Sequence, residues 1–360
     1  MNPQFWFGKK VFLTGHTGFK GSWLSLWLQS LGAEVTGFAL HSPTAPSLFE
    51  LANVDEGMFS VIGDIRDLQD LSRALSASNP SIVFHMAAQS LVRESYVDPV
   101  NTYATNVMGT VNLLEAVRTC PSVRAVINVT TDKCYENKES LQGYKEGEPL
   151  GGFDPYSNSK ACSELVTAAY RNSFLNPAIY DRHYVGLATV RAGNVIGGGD
   201  WAKDRLIPDI LQAFTNHKSV SIRYPNSIRP WQHVLEPLNG YMTLAERLFK
   251  SGPEFSEAWN FGPNDEEAKP VSWIANTMSN LWGNGARWHH EGGEYLHEAG
   301  LLSLDISKAK SRLNWSPILN LEETLDLIIK WYRQYQGGGN VRQISIEQIS
   351  QFQARVTSNQ

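Results

Sequence analysis

Three glycines near the start of the chain, Gly15, Gly18 and Gly21, restrict its fold more than any other feature. They follow an apolar run at residues 10–14 and precede residues 22–31, where apolar side chains recur at helical spacing. Glycines in such a turn allow a tight bend and close approach of the backbone to a pyrophosphate, and the helix N-terminus favours that anion. A glycine triplet alone is weak evidence, because glycine-rich turns are common. Its position between a strand and a helix predicts a dinucleotide-binding βαβ unit.

Strands and helices alternate through the first half of the chain. We predict strands at residues 34–40, 59–62, 81–85, 126–129 and 186–191, and helices at 68–77, 101–118 and 157–171. Such alternation is typical of α/β folds with a parallel sheet. The expected fold class is therefore α/β, with a doubly wound parallel (Rossmann-type) sheet and a smaller mixed α/β substrate domain.

The pattern changes at about residue 191, where short strands and tryptophan-rich loops begin. We predict a dinucleotide-binding domain at residues 1–190, a substrate domain at 191–340 and a tail helix at 341–360. The segment 229–262 is expected to rejoin the sheet, so that the two domains interleave. Ser345 and Gln348 fit a capping box for the tail helix, which would pack on its own domain or on a partner chain.

Composition excludes several classes of partner. The formal charge of the 360 residues is -5, which argues against nucleic acid or an anionic membrane as the partner. No run approaches the roughly 20 apolar residues of a membrane span. The N-terminus enters a strand almost at once, without a charged-then-apolar leader. We therefore expect a soluble cytoplasmic protein.

The cysteines and histidines indicate neither a disulfide framework nor a metal site. Cys120, Cys134 and Cys162 have no paired spacing. His289 and His290 are adjacent, but no carboxylate or cysteine follows at ligand spacing. We expect no metal.

The end of the second predicted strand lacks a residue that dinucleotide sites usually carry. An Asp or Glu normally stands there for the adenosine ribose, whereas this chain has Leu40, His41 and Ser42. No arginine stands there to hold a 2′-phosphate, so NAD is favoured over NADP. His41, Ser42 or the backbone would then contact the ribose.

Other expected cofactor contacts follow the third and fourth predicted strands. Asp64 and Ile65 would lie at the adenine edge, although Asp64 also suits the start of an ordinary turn. The fourth predicted strand is followed by Ala87, Ala88 and Gln89. Small side chains there would let a dinucleotide lie against the backbone.

Tyr156 and Lys160 stand four residues apart in a predicted helix, so they share one helical face. A nearby cation favours the phenolate and lowers the tyrosine pKa from ~10 toward neutrality, which would make Tyr156 a usable base. The Tyr-x-x-x-Lys pattern alone is mostly chance. Together with the glycine turn and with Thr131 after the fifth predicted strand, the pattern becomes specific.

Beyond these separate patterns, the chain resembles the extended short-chain dehydrogenase/reductase family, in particular its nucleotide-sugar 4,6-dehydratase branch. The motifs that carry the resemblance are GHTGFKG, GDI, HMAAQS, NVMGT, VTTDK, YSNSK, RAGNVIGGGDW and RPWQHV. The resemblance implies a bound NAD that is reduced and reoxidised in each turnover. It also places Thr17, Phe19 and Asn106 among the cofactor contacts, beside Tyr156 and Lys160.

The same resemblance implies roles for the residues after the fifth strand. The branch typically has Thr-Asp-Glu there, whereas this chain has Thr131, Asp132 and Lys133. The lysine followed by Cys-Tyr-Glu-Asn is similar to the subgroup that acts on CDP-glucose. Tyr156 would deprotonate the sugar O4, Thr131 would bind the same hydroxyl, and Asp132 and Lys133 would serve as acid and base in the loss of water. Which of the two is the acid stays open, because coupled groups can exchange roles.

Two residues of the second domain are expected to bind the nucleotide sugar by the same resemblance. Asn194 would contact the substrate, and the fork of Arg229 suits the oxygens of a diphosphate. Their ordinary alternatives are a turn asparagine and a surface ion pair. Relatives usually read Arg-Asp where this chain has Arg229 and Pro230, so local geometry is expected to differ.

Two other functions compete with a dehydratase. A nucleotide-sugar 4-epimerase would share Thr131, Tyr156 and Lys160 but needs no acid–base pair such as Asp132 and Lys133. A catalytically silent NAD-sensing regulator should lack the complete set of Thr131, Tyr156 and Lys160, which this chain retains. The resemblance further implies a homo-oligomer, a dimer or a tetramer, formed through the helices at 101–118 and 157–171.

Overall fold

The computed structural model describes residues 1–140, 142–292 and 302–358. Seven parallel strands form its central sheet: β1 (Lys10–Thr14), β2 (Glu34–Ala39), β3 (Phe59–Ile62), β4 (Ile82–His85), β5 (Ala125–Val129), β6 (Gly186–Ala192) and β11 (Ala258–Phe261). Their order is β11-β6-β5-β4-β1-β2-β3, so the direction of winding reverses between β1 and β4. Ligands of such sheets bind in the crevice at this reversal. The predicted doubly wound sheet is confirmed.

The central strands are buried on both faces, which explains their apolar sequences. Ile82, Val83 and Phe84 of β4 are fully buried, as expected for a parallel strand covered by helices on both sides. The edge strand β3 differs, since Phe59 is 74% exposed. The sheet therefore has its most hydrophobic strands where the crevice opens.

Eight helices flank the first six strands: α1 (Phe19–Ser30), α2 (Leu48–Leu51), α3 (Leu68–Ser78), α4 (Val92–Val97), α5 (Pro99–Tyr103), α6 (Gly109–Arg118), α7 (Pro155–Ser173) and α8 (Tyr180–His183). The predicted helix at 101–118 is interrupted by a π-helical turn, Ala104–Met108, which joins α5 to α6. Short π-helical turns of this kind are frequent at functional sites. No described helix has the length and apolar character needed to cross a membrane.

The second region combines helices with very short strands. Its helices are α9 (Leu206–Thr215), α10 (Leu235–Phe255), α11 (Val271–Trp282) and α12 (Leu321–Gln336), and its strands are β7 (Val195–Ile196), β8 (Val220–Ile222), β9 (Ile228–Arg229), β10 (Gln232–His233), β12 (Lys269–Pro270) and β13 (Trp288–His290). The strands form the pairs β7–β10, β9–β12 and β8–β13. Strand β11 pairs with β6 and so returns the chain to the central sheet.

The tail helix, α13 (Val341–Ser358), begins four residues before the predicted capping box. That capping box is wrong. Ser345 lies inside the helix, where its hydroxyl donates to the carbonyl oxygen of Val341 at 2.8 Å and accepts from Trp331 Nε1 at 2.9 Å. The tail packs on its own chain: the guanidinium of Arg342 donates to the carbonyl oxygens of the loop after α2, those of Ala52, Asn53 and Glu56.

Candidate active site

The glycine turn after β1 is packed so tightly that side chains do not fit. Gly15 has a φ of +79°, and a Cβ there would lie 2.7 Å from the backbone nitrogen of Ala87. A Cβ on Gly21 would lie 2.1 Å from the carbonyl oxygen of Gly15. Glycine is therefore required at both positions for close packing of α1 on the sheet.

Gly18 differs from its neighbours because it faces open space. A Cβ there would meet only the carbonyl oxygen of Gly15, at 3.4 Å. Gly18 is the N-cap of α1 and supplies no side-chain hydrogen bond, so the first N–H groups of the helix stay available. Thr17 and Phe19 border the same space, and the Thr17 hydroxyl donates to the carbonyl oxygen of Leu40 at 2.9 Å. The arrangement fits the pyrophosphate of a dinucleotide.

The residues after β3 lie where an adenosine would extend from this cradle. Asp64 borders the cleft and accepts from Arg66 Nε at 2.8 Å, and these hydrogen bonds lower the pKa of the Asp64 carboxyl. Ile65 is buried against Gly109, where a Cβ would come within 2.4 Å of its Cδ1. His41 also borders the cleft. The structure therefore brings these predicted contacts together at one end.

The segment after β4 is fixed by the π-helical turn. Ala87 and Ala88 border the cleft. The amide side chain of Asn106, inside the turn, accepts from the backbone N–H of Gln89 at 2.9 Å and donates to its carbonyl oxygen at 2.9 Å. Asn106 also donates to the hydroxyl of Ser159 on α7 at 2.9 Å. Asn106 thus positions the loop that borders the cleft.

Strand β5 ends in a 3₁₀ turn, Asp132–Cys134, which directs three polar side chains into the cleft. Thr131 is buried and its hydroxyl donates to Asp132 Oδ1 at 3.0 Å. The Asp132 side chain is 1% exposed, and its second oxygen, Oδ2, has no hydrogen-bond partner among the described residues. Lys133 Nζ lies 3.7 Å from Asp132 Oδ1 and 3.4 Å from Asn194 Oδ1. The amine therefore faces the cleft.

Tyr156 and Lys160, on the first turns of α7, border the same space. Burial raises the pKa of Tyr156 to about 12, although a hydrogen bond with Thr131 acts in the opposite direction. The expectation of a lowered tyrosine pKa is therefore wrong. Burial lowers the pKa of Lys160 to about 8, and its amine donates to the carbonyl oxygen of Val129 at 3.0 Å.

A buried ion pair lies behind the 3₁₀ turn. Arg191 on β6 donates from Nε and Nη2 to the carboxylate of Glu164 on α7, each at 2.9 Å. Glu164 also accepts from the hydroxyls of Thr130 and Thr189. Burial raises the pKa of Glu164, but Arg191 and these hydrogen bonds outweigh it, so the net pKa is lowered. Arg191 further donates to the Tyr135 hydroxyl at 2.8 Å, which fixes the chain on both sides of the turn.

The two predicted substrate residues are brought to the cleft by the short strands of the second region. Asn194 precedes β7, and its carbonyl oxygen accepts from the backbone N–H of Gln232 on β10 at 3.0 Å. Arg229 is 9% exposed and borders the cleft. Pro230, the departure from the usual motif, packs on Gly193, where a Cβ would come within 2.5 Å of its ring. The unusual proline thus fits a neighbouring glycine.

Lys20 and Arg205 also border the cleft, although neither is among the predicted site residues. Burial lowers the pKa of Lys20 to about 7, and its amine lies 3.3 Å from the hydroxyl of Tyr241. Arg205 donates to Asp200 at 2.9 Å and to the hydroxyl of Ser90 at 3.2 Å. The sequence feature that could have identified Lys20 is a charged residue inside the glycine motif, at a position where an apolar residue would suit a helix that packs on the sheet.

All the predicted catalytic residues border one continuous cleft of about 1620 Å³. The glycine cradle lies at one end, the 3₁₀ turn in the middle, and α9, β8 and β9 enclose the other end. The cleft thus has room for two ligands that meet at Tyr156. Asn106 supports the wall rather than bordering the space.

Comparisons with known proteins agree with this geometry. Residues 12–248 match the family model described as GDP-mannose 4,6 dehydratase. The chain is 57% identical over 357 residues to the CDP-glucose 4,6-dehydratase of Salmonella typhimurium strain LT2, covering 99% of both chains.

Solved structures share the fold at low identity. The UDP-glucose 4-epimerase of Thermotoga maritima matches with a TM-score of 0.78 and 21% identity over 91% of this chain and 99% of that chain. The dTDP-glucose 4,6-dehydratase of Bacillus anthracis, solved in complex with NAD, matches with a TM-score of 0.76 and 22% identity over 92% and 99%. Because the family match covers most of the chain and the sequence match nearly all of it, the protein belongs to the GDP-mannose 4,6-dehydratase family of nucleotide-sugar-modifying short-chain dehydrogenases/reductases.

Proposed function

We propose that the protein converts CDP-glucose into CDP-4-keto-6-deoxyglucose with loss of water, and that NAD is its cofactor. The observation that carries the proposal is the pair of Asp132 and Lys133, 3.7 Å apart, beside Thr131 in the cleft that Tyr156 also borders. A 4-epimerase needs no such pair. The full-length relative at 57% identity, named for this reaction, supports cytidine as the base.

The residues of the cradle fit NAD. Gly15 and Gly21 keep the turn compact, Gly18 leaves room for a pyrophosphate, and no arginine stands at the end of β2 to hold a 2′-phosphate. The chemistry that NAD supplies when bound is the uptake of hydride from C4 of the hexose and its later return to C6. Gly15, Thr17, Gly18, Phe19, Gly21, Asp64, Ile65, Ala87, Ala88, Gln89, Tyr156 and Lys160 would hold it, supported by Asn106.

Tyr156 would take the proton of the O4 hydroxyl while Thr131 binds the same oxygen. Burial opposes the phenolate, so the tyrosine needs a cation nearby. Arg205 is one such cation, since its charge lowers the pKa of Tyr156, and Lys160, one helical turn further along α7, would supply a second. With a pKa of about 8, it carries its charge at neutral pH.

Asp132 and Lys133 would then remove water from the 4-keto sugar. An aspartate and a lysine in contact share one proton, and its transfer from lysine to aspartate yields a carboxylic acid and a free amine. Lys133 would take the C5 proton, and Asp132, through its unpartnered Oδ2, would protonate O6 as the C6–O bond breaks. The pair ends as carboxylate and ammonium. It gains the C5 proton and gives one proton to the water that leaves, so its total number of protons is unchanged.

The substrate would extend from the hexose toward the second region. The amide of Asn194 would contact the sugar nucleotide, and the guanidinium of Arg229 would bind the diphosphate through paired hydrogen bonds. Both border the cleft on the side away from the glycine cradle. A cytoplasmic role in deoxysugar biosynthesis is consistent with a nucleotide-sugar substrate and NAD.

A homo-oligomer is also proposed, through the face formed by α5, α6 and α7. Exposed apolar side chains cluster on this face, including Val100 at 78%, Met108 at 52% and Leu165 at 58% exposed. Contiguous apolar patches on a surface mark interaction sites. Analytical ultracentrifugation should give a dimer or tetramer, and Leu165→Glu should shift it toward the monomer.

The function is tested with CDP-glucose and NAD in deuterated water. The expected result is a 4-keto sugar, detected by absorbance after base treatment, that carries deuterium at C5. Lys133→Met should keep hydride transfer from C4 measurable while C5 exchange collapses by about 10²–10⁴-fold. Lys138→Met is the matched control, because that lysine is 69% exposed and pairs with Glu136 instead.

Two outcomes would contradict the proposal. A C4-inverted hexose without a 4-keto product would indicate a 4-epimerase, and an inert mixture would indicate a regulator. Undiminished C5 exchange in Lys133→Met would remove Lys133 from the role of base.

A further inference from the structure

The amine of Lys133 lies between two oxygens of different charge. Asn194 Oδ1 is 3.4 Å from it and Asp132 Oδ1 is 3.7 Å from it. The Lys133 side chain is 32% exposed, whereas that of Asp132 is 1% exposed. The neutral amide therefore makes the closer contact, and it does so from a different part of the chain.

The orientation of the Asn194 amide follows from the chemistry of its neighbour. An ammonium group has only donors, so the amide must present its oxygen to Lys133. The amide nitrogen then makes no hydrogen bond with any residue that the structure describes, and it stays available for the substrate.

The backbone around Asn194 is held firmly. Its carbonyl oxygen accepts from Gln232, and the preceding Gly193 packs on Pro230. The position of the amide is thus set by the short β7–β10 pair rather than by Lys133 itself. The second region of the molecule therefore places a hydrogen-bond acceptor, Asn194 Oδ1, beside Lys133 in the turn that follows strand β5.

We propose that Asn194 is a positioning residue for the elimination step: its oxygen directs the Lys133 amine toward C5, and its neutrality lets the amine lose its proton. The inference rests on the proposed function. A carboxylate at the same place would attract the ammonium form and hold the proton. Asp132 lies next to the amine. The other charged and titratable groups that border this cleft are Lys20, His41, Asp64, Arg66, Arg93, Glu94, Tyr96, Tyr135, Glu139, Asp154, Tyr156, Lys160, Asp200, Lys203, Asp204, Arg205, Asp209, Arg223, Tyr224 and Arg229.

The step that Asn194 assists is balanced without any group from the amide. The lone pair of the Lys133 amine takes the C5 proton, and the electrons of the C5–H bond form the enolate of the 4-keto sugar. The enolate then expels O6, which leaves as water with a proton from Asp132. Asn194 gains and loses nothing, so its effect is on geometry and charge alone.

The test is Asn194→Asp, which replaces the amide by a carboxylate of nearly the same shape. The rate of hydride transfer from C4, measured at saturating CDP-glucose from the absorbance of reduced cofactor in a single turnover, should fall less than C5 exchange does. Deuterium exchange at C5 should fall by roughly 10- to 1000-fold at pH 7 and recover as the pH rises, because an opposite charge at this distance stabilises the ammonium by about that factor.

A second variant and a control complete the design. Asn194→Ala removes the acceptor without adding charge, so C5 exchange should fall at every pH with no shift in its pH profile. Asn172→Asp makes the same amide-to-carboxylate change on the exposed part of α7 and should leave both rates unchanged.

The outcomes separate the inference from the function on which it rests. Equal losses of C4 oxidation and C5 exchange in Asn194→Asp, or a pH profile that does not move, would overturn the positioning role while leaving the dehydratase intact. If wild-type protein transferred no hydride from CDP-glucose, both the function and the inference would fall.

Discussion

The two sides of the β5 carboxyl end differ in how completely their polar groups are paired. Behind the strand, the Glu164 carboxylate meets the guanidinium of Arg191 and two threonine hydroxyls. In front, Asp132 Oδ2 is buried without a hydrogen-bond partner among the described residues, and Lys133 makes only long contacts. The same chain thus presents a satisfied network on one side and an unsatisfied one on the other.

This difference indicates how the protein keeps reactive groups in place. Buried polar groups without partners are costly, so they persist only where the surroundings fix them. Thr130 belongs to the satisfied network and Thr131 to the reactive side, which makes the two networks neighbours in sequence. We expect mutations behind the strand to affect stability and mutations in front to affect chemistry.

The largest effect should come from Tyr156→Phe, which removes the phenol and keeps the ring. We expect kcat to fall by about 10²–10⁴-fold, the usual contribution of a general base. The free energy of unfolding should hardly change, because the ring still fills its buried site. The rate of 4-keto sugar formation and a denaturant unfolding curve measure the two effects. A kcat near that of wild type would place the base elsewhere.

Behind the strand, Glu164→Ala should lower the stability of the fold, in contrast to Tyr156→Phe, which should lower kcat. It leaves Arg191 buried without its partner, which typically lowers the free energy of unfolding by about 3–5 kcal/mol. Lys330→Ala is the control, since that lysine is 65% exposed and its ion pair with Asp326 should contribute less than about 1 kcal/mol. Urea unfolding compares the two variants, and equal losses would contradict the contrast between buried and exposed pairs.

The smallest expected effect is the pH dependence of C4 oxidation. It involves Lys160, which lies between the two sides of the β5 carboxyl end. Burial lowers its pKa to about 8, so the ammonium predominates below that pH and is lost above it. C4 oxidation should therefore be constant below pH 8 and decrease about tenfold per unit above it. Lys160→Arg keeps its charge and should lose this decrease. If the rate of C4 oxidation in Lys160→Arg decreased in the same way above pH 8, the titrating group would be a different residue.

The fold and the centre of the site could be predicted because their signals are local. Gly15, Gly18 and Gly21 lie within one turn, and Tyr156 and Lys160 lie within one helix, so spacing alone relates them. Thr131, Asp132 and Lys133 directly follow a strand whose apolar residues mark it clearly. The structure places all of these groups along one cleft.

The second region was predicted only in outline because its strands have two or three residues and pair across long separations. Gln232 pairs with Val195, and Lys269 with Arg229, with no periodic signal in either segment. The capping box at Ser345 failed for a related reason, since Trp331 from another helix uses that hydroxyl.

Charge and burial were the other source of error. The lowered pKa expected for Tyr156 considered the neighbouring cation but not the burial of the phenol, which the sequence does not reveal. Lys20 was missed because a lysine beside a phosphate cradle looks like a solvated residue, whereas the structure places its amine in the cleft beside the hydroxyl of Tyr241.

The link between Arg342 and the loop after α2 limits how the cleft can open. Helix α13 contacts α1 and α2 beside the cradle and also α12 of the second region, so it forms a seam along one flank of the molecule. Any separation of the two regions on this flank would break the contacts of α13 and the hydrogen bonds of Arg342, so the C-terminal helix fastens the cradle side of the molecule to the second region.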